Sequence, residues 1–269
     1  MKRTTKRRLG QGLLYLLLLA GLVLILALAD WPTIRENFFN PAAFGEGDRA
    51  NWSDLITVGL KNTIIYTAIA YAGGLALALV LALMKLSPVG PYRWLATAWI
   101  ELFRGMPALL VIFLMAFGIP IAFSGWTPPG GMLGAGLLAL VFVSSAYMAE
   151  SVRAGIQAVP KGQAEAARSL GMGAAHTQVS VVLPQAFRIV IPPLTNEFVL
   201  LLKDTSLLFV VGFLAQERDL TTLARDMMSS SPTAGTATSL VQATILYLII
   251  TIPLTQLVAW MERRQQRTL

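Results

Sequence analysis

The chain contains no cysteine and one histidine, His176. The first absence excludes disulfides, thiol chemistry and cysteine metal sites. The two together exclude a two-histidine zinc site. Charge is also scarce, at 13% of 269 residues, about half the ~25% usual in soluble domains. No stretch reads G-x-x-x-x-G-K-[ST], so the chain has no phosphate-cradling loop. Gly131, Gly134 and Gly136 lie in an apolar run without the strand context of a nucleotide fingerprint. No nucleophile, base and orienting group can be assembled, and His176 reads as a surface residue of a polar loop. No polar stretch is long enough to build a second, soluble core. The chain therefore reads as non-enzymatic by itself, with no metal or cofactor of its own.

What it has in abundance is apolar length. Hydrophobic residues make up 55% of the sequence, in several runs near the ~20 residues that cross a bilayer. The first, Leu13 to Ala29, follows the basic cluster Lys2, Arg3, Lys6, Arg7 and Arg8. It reads as a membrane helix or as a signal peptide, with Ala27-Leu28-Ala29 resembling a cleavage site; its length favours a retained helix. Asp30 to Asp54, with Pro32, Pro41 and Gly45, reads as an external loop. Trp31 and Trp52 suit the interface levels. Further spans are expected from Leu55 to Met84, Ala96 to Ile119 and Met132 to Ala149. A fifth apolar region begins near Ala186 and is interrupted at Lys203 to Ser206. A polar segment, Gln216 to Thr236, precedes a last span from Leu240 to Met261. Ala70, Gly74 and Ala78 place small residues at four-residue spacing, either a surface for close helix packing or the ordinary small-residue content of membrane helices.

The net charge of +7 raises nucleic acid as a partner, but the charges flank the apolar runs and instead set an orientation. On one side fall the N-terminal cluster, Lys85, Arg93, Arg153, Lys161, Arg168, Arg263, Arg264 and Arg267. The other side holds Arg35, Arg49, Lys61, Arg218 and Arg225, spread over longer polar segments. The bias predicts about six transmembrane helices with both termini cytoplasmic.

One hydrophilic stretch, Pro160 to Pro184, interrupts the apolar pattern and lies on that cytoplasmic side. Pro160 can open a helix, Gln163 to Leu170 favour one, and Gly171 can close it in the left-handed conformation. A second short helix is expected from Ala174, limited by Pro184. Glu165-Ala166-Ala167, then Gly171, then Leu183-Pro184 resemble the "EAA" loop of ABC-importer permeases, with Val181 where the pattern has Ile. The motif segments Glu101 to Gly105 with Pro107, Ala146-Tyr147 with Glu150, Arg153 to Gln163 and Lys203 to Leu207 are similar to the polar-amino-acid branch. The resemblance covers Leu55 to Arg264.

That resemblance implies an all-α integral membrane protein of the bacterial inner membrane. Residues 1–54 would supply one N-terminal helix and an external loop, and residues 55–264 a five-helix type I importer core. It implies a permease subunit of an ATP-driven importer for a polar amino acid, paired with itself or a sister permease. Two separate ATPase subunits would bind ATP and Mg, and an external solute-binding protein would deliver the amino acid. Gly162, Glu165, Ala166, Ala167, Gly171, Leu183 and Pro184 would form the ATPase-coupling loop. The alternative is a secondary transporter or channel that works alone.

Charges inside spans cost about 2.5–3.5 kcal/mol each on insertion scales, so each is a candidate site. Glu101, Arg104 and Glu150 read as a structural pair, Arg104 with Glu101 or Glu150, or as substrate contacts. Lys203, Asp204, Thr205 and Ser206 lie about 24 Å along the helix from Phe187. Irregular polar backbone at such depth lines a cavity or is buried in protein. The run therefore lines the path or fixes a helix break by an ion pair, and Asn196 and Glu197 lie one to two turns below.

Overall fold

The computed structural model describes residues 2–40, 49–123, 126, 128–212, 214–230 and 234–266. The expected positions Pro41, Gly45 and Arg267 lie outside the described residues, as do the side chains of residues 2–10. All regular structure among the described residues is helical. Helix α1 spans Lys2–Leu28 and α2 Trp31–Phe38. A lead-in of Arg49–Asp54 and wider π-type turns at Leu55–Leu60 runs without interruption into α3, Lys61–Leu86. Then come α4, Gly90–Gly105, and α5, Ala108–Phe113, which continues through Leu114–Gly118 and Ile119–Ala122. The second half holds α6 (Gly131–Ala158), α7 (Lys161–Ser169), α8 (Ala174–Thr177), α9 (Leu183–Asp204), α10 (Leu220–Ser230) and α11 (Thr238–Gln266).

Four helices are long and apolar enough to cross a membrane, five if the bent pair α4 and α5 counts as one. Helix α9 occupies the expected fifth apolar region. Its 22 residues include Arg188, Glu197, Lys203 and Asp204, and this charge sets it apart from the other spans.

Helix α6 is the axis of the bundle. Its Ala135, Ala139, Ala146 and Ala149 are buried, and α3 lies along it through Ala70, Gly74 and Ala78, also buried. Lipid tails give helices no hydrophobic drive to associate, so close van der Waals packing of small residues must hold them together. A Cβ on Gly74 would lie 2.3 Å from the Ser144 Oγ, one on Gly136 2.6 Å from Leu208, and one on Gly155 2.1 Å from Val190. Trp99, Phe103 and Phe142 close the α4–α6 contact with ring centroids 4.5 to 5.5 Å apart. The Trp99 indole donates to the Ser145 Oγ at 3.2 Å.

One sequence expectation is corrected, the helix end at Pro184, and three others gain detail. The third span is not straight: α4 and α5 meet at 106°. The ring of Pro107 disfavours helical geometry at the preceding residue, and Met106 is extended at φ −101°, ψ 138°. Pro184 does not end a helix: turns of π spacing at Gln178–Val182 join α8 to α9, with Pro184 in the first turn of α9. Local π adjustment is how a membrane helix absorbs a proline's missing donor. The loop after Asp30 contains α2, whose first turn Asp30 caps by accepting from the Thr33 N–H at 3.3 Å and the Thr33 hydroxyl at 2.6 Å.

The polar segment after Gln216 contains α10. Its Leu220, Leu223, Ala224 and Met227 pack on Leu55, Ala243 and Leu246. Asp219 caps α10, accepting from the backbone N–H of Thr221 at 3.0 Å and of Thr222 at 3.2 Å, and from the Thr222 hydroxyl. Burial pushes the Asp219 carboxyl above its ordinary value, and these donors pull it back. Helix α3 holds the same segment: Asn62 donates to the carbonyls of Gln216 and Arg218 at 2.8 and 3.0 Å, Tyr66 to that of Glu217 at 2.7 Å.

Helix α1 is exposed on every side between Gln11 and Leu28. The extension reaches the bundle at the start of α11, where the Ala237 N–H donates to the Asn37 carbonyl at 2.7 Å and the Thr238 hydroxyl to the same oxygen at 3.3 Å.

Two outcomes are expected in detergent melting experiments. Gly74→Val forces α3 off α6 and destabilises by about 1–3 kcal/mol, the range for overpacking; an unchanged melting temperature contradicts the packing. Asp219→Ala removes the α10 cap and destabilises by about 1 kcal/mol, while Asp219→Asn, which keeps the acceptor, loses less.

Candidate coupling elbow and solute recess

At one end of the bundle α6 stops at Ala158, and Pro160 turns the chain into α7. The helix closes as the sequence predicts. Gly171 adopts φ +85°, and the N–H groups of Leu170, Gly171 and Met172 return to the carbonyls of Ala166, Arg168 and Ala167 at 3.1, 2.9 and 3.2 Å. A left-handed residue after the last turn is the usual glycine closure.

One face of α7 is anchored. Ala167 is buried, and Ala164 packs against the cluster of Val159, Val182 and Ala186. Gln185 of α9 donates to the Gln163 side chain at 3.3 Å and to the Val181 carbonyl in the π turns before α9 at 3.0 Å. The opposite face is open: Gly162, Glu165, Ala166, Arg168 and Ser169 are exposed. Leu170 is 85% exposed and Val179 64%. None of the described residues crowds Gly162 or Gly171. Leu183 is half-buried and Pro184 exposed. The elbow therefore has two arms, α6 and α9, locked to each other at Gly155 and Val190, and a free outer surface of small side chains with two apolar projections.

The expected ion pair of Arg104 with Glu101 or Glu150 is not found among the described residues. Glu150 binds Lys85 of α3 at 3.1 Å and Arg153, one turn along α6. Arg153 also donates to Gln157. Arg104 lies over the Tyr147 ring, 5.5 Å from its centroid, and Glu101 is exposed. The correction follows from register: Arg153, at i+3 from Glu150 on the same helix, reaches the carboxylate directly, whereas Arg104 lies over the Tyr147 ring.

The polar run on α9 is also rearranged. The helix is intact to Asp204 and then tightens into 3₁₀ turns over Thr205–Val211. Successive residues of a helix point about 100° apart, so the run divides between two recesses. Glu197 and Asp204, seven residues apart on one face, line a recess of 320 Å³ with Ser144 and Tyr147 of α6 and Met106 and Pro107 at the α4–α5 bend. Lys203 and Ser206 line a different one, of 400 Å³, with Thr221, Thr244 and Tyr247. Thr205 is buried and donates to the Leu202 carbonyl at 2.7 Å; Asn196 is exposed. No ion pair joins Lys203 to Asp204 among the described residues.

Sequence reasoning missed the contribution of the bend and of Ser144, which sits mid-helix without a motif. The i, i+7 spacing of Glu197 and Asp204 was the available signal for a shared face. Two bounded features result: an elbow with a free surface at one end, and an acid-lined recess between α6, α9 and the bend.

Comparison with known proteins agrees with this architecture. Residues 49–267 match the model of the family described as "Binding-protein-dependent transport system inner membrane component". The probable glutamine ABC transporter permease protein GlnM of Bacillus subtilis (strain 168) is 40% identical over 210 residues, 78% of this chain and 93% of that protein. A crystal structure of an amino acid ABC transporter with histidines superposes with a TM-score of 0.70 at 37% identity, over 80% of this chain and 96% of that one. The crystal structure of a bacterial ABC transporter involved in the import of the acidic polysaccharide alginate shares the fold at a TM-score of 0.62 and 14% identity, over 97% of this chain and 99% of that one. The chain thus belongs to the family of inner membrane components of binding-protein-dependent transport systems.

Proposed function

We propose that the chain is the membrane-spanning permease of an importer for a polar amino acid, with its elbow gripped by a separate ATPase subunit. The observation that carries this reading is the free face of α7 between two interlocked helices. Residues Gly162, Glu165, Ala166 and Gly171 lie on a surface that none of the described residues covers, buried Ala167 anchors the opposite side, and Leu183 and Pro184 begin the arm that carries it. Small side chains let a partner approach the backbone, and exposed Leu170 and Val179 give it apolar anchors. The amino-acid substrate is supported by the names of the relatives above and by the chemistry of the recess. Glu197 and Asp204 suit the ammonium end of an amino acid, and the hydroxyls of Ser144 and Tyr147 can orient it.

In this reading both termini and the elbow lie in the cytoplasm, following the distribution of Lys and Arg. The permease pairs with itself or a sister subunit, two ATPase subunits hold ATP and Mg, and an extracytoplasmic binding protein delivers the solute. Closure of the ATPases pushes α7, and α6 and α9 carry the displacement to the recess, whose walls they form. This is alternating access by a bistable bundle. Shifting such a bundle from 1:99 to 99:1 needs about 5.5 kcal/mol of preference between its states, a demand that a separate energy-supplying subunit meets.

Two variants test the reading in proteoliposomes holding the complete transporter. Gly171→Val places a β-branched residue in the left-handed region, at about 1–2 kcal/mol, and is expected to lower ATP-driven uptake about tenfold while ATP hydrolysis continues. Unchanged uptake contradicts the lever. Glu197→Gln is expected to lower amino-acid uptake by a similar factor with the complex intact; unchanged uptake removes Glu197 from the path.

A further inference from the structure

The N-terminal extension has no part in the transport reading, and it lies outside residues 49–267, which match the family. Its helix α1 is apolar from Gln11 to Leu28 and exposed on every side. A helix that is apolar all round and not packed in a core is a membrane span. These 18 residues rise about 27 Å at 1.5 Å each, close to the ~30 Å of a bilayer's hydrocarbon core. Leu28 therefore marks the level at which the apolar layer ends. Helix α2 begins soon after at Trp31, and the Trp31 indole donates back to the Leu26 carbonyl at 2.9 Å. That bond ties the first turn of α2 to the last turn of α1.

The other end of α2 is fastened to a second span. The Asn37 carbonyl accepts from the Ala237 N–H at 2.7 Å and from the Thr238 hydroxyl at 3.3 Å. The Thr238 oxygen in turn accepts from the Asn40 N–H at 3.4 Å. Thr238 is buried and is the first residue of α11. Helix α2 thus runs from the end of one span to the start of another over eight residues, or about 12 Å. Two span ends joined so closely share one face of the membrane, and α2 lies along that face.

Its side chains are sorted for such a position. Trp31, Ile34 and Phe38 fall within about 60° of one another around the helix axis. Trp31 is 54% exposed and Phe38 45%, and Ile34 is half-buried. Arg35 borders this stripe, while Glu36 lies on the opposite side, and both are exposed. An apolar stripe with an arginine at its margin and an acid behind it suits a helix lying in a lipid interface. Tryptophan is favoured at the same level.

We propose that α2 is an interfacial strap, with Trp31, Ile34 and Phe38 seated at the headgroup–acyl boundary of the leaflet where α1 ends. Its partner is the lipid surface itself, continuous with the lipid that surrounds α1. Arg35 stands at the level of the lipid phosphates, and Glu36 faces water. Because α1 is exposed along its whole apolar length, the strap fixes where that span stands relative to α11. The proposal does not rest on the identity of the solute or on the ATPase partner.

The test is collision accessibility of nitroxide labels in the complete transporter, reconstituted in vesicles of phosphatidylethanolamine and phosphatidylglycerol. The chain has no cysteine, so Ile34→Cys, Glu36→Cys and Phe38→Cys each give it one labelling position. The unsubstituted transporter measures label taken up by the other subunits. Labels at 34 and 38 are expected to meet oxygen in preference to an aqueous nickel chelate and to sit about 5–10 Å into the boundary. The label at 36 is expected to meet the chelate. Adding Phe38→Glu is expected to raise chelate access at 34 severalfold. If Phe38→Cys does not assemble, Trp31→Cys reads the same stripe. Equal chelate access at 34, 36 and 38 places the helix in water, and shielding of 34 and 38 from both reagents places a protein over the stripe; either result overturns the proposal.

Discussion

The contact between Gly155 and Val190 is the constraint on which the molecule's mechanics rest. A methyl group at Gly155 would overlap Val190 at 2.1 Å, so α6 and α9 touch backbone to side chain just where they leave the elbow. Neither helix can rotate or slide there without the other. Packed interfaces of this kind shift between discrete arrangements and do not deform continuously. The same closeness recurs along α6 at Gly74 against Ser144 and at Gly136 against Leu208, which joins α3 and the 3₁₀ segment after α9 to one rigid centre.

From that centre the rest of the arrangement follows. The bend at Met106–Pro107 turns α5 away from α4 and opens the space that Glu197 and Asp204 face. The Lys85–Glu150–Arg153 group ties α3 to α6 one to two turns from the elbow. Asn62, Thr63 and Tyr66 fasten the start of α10 to α3, so the two ends of the bundle are braced by polar contacts and its middle by small apolar ones. This division is physical: hydrogen bonds and ion pairs hold where a loop or a helix end leaves groups to satisfy, and shape holds where lipid surrounds the helices.

The elbow was legible in the sequence because its signals are local. Pro160, Gly171 and the spacing of Glu165-Ala166-Ala167 act through their own backbone geometry, and the left-handed Gly171 follows directly. The bend at Pro107 was equally local, but the apolar run on either side hid it inside one apparent span. Helix α10 had a readable i, i+3, i+4, i+7 pattern in Leu220, Leu223, Ala224 and Met227, masked by the charged residues on its other face. The partners of Glu150 and the division of Lys203 from Asp204 were not legible from a motif, because both depend on which face of a helix meets which neighbour.

The central claim is that the elbow and its two arms move as one body. Pulsed electron-spin distance measurement between labels at Ser169 on α7 and Phe187 on α9, both exposed, tests it most directly in the reconstituted transporter. The account predicts the same narrow intrachain distance with and without ATP. A broad distribution, or a distance that changes with nucleotide, would show that the elbow flexes on its own and would contradict it.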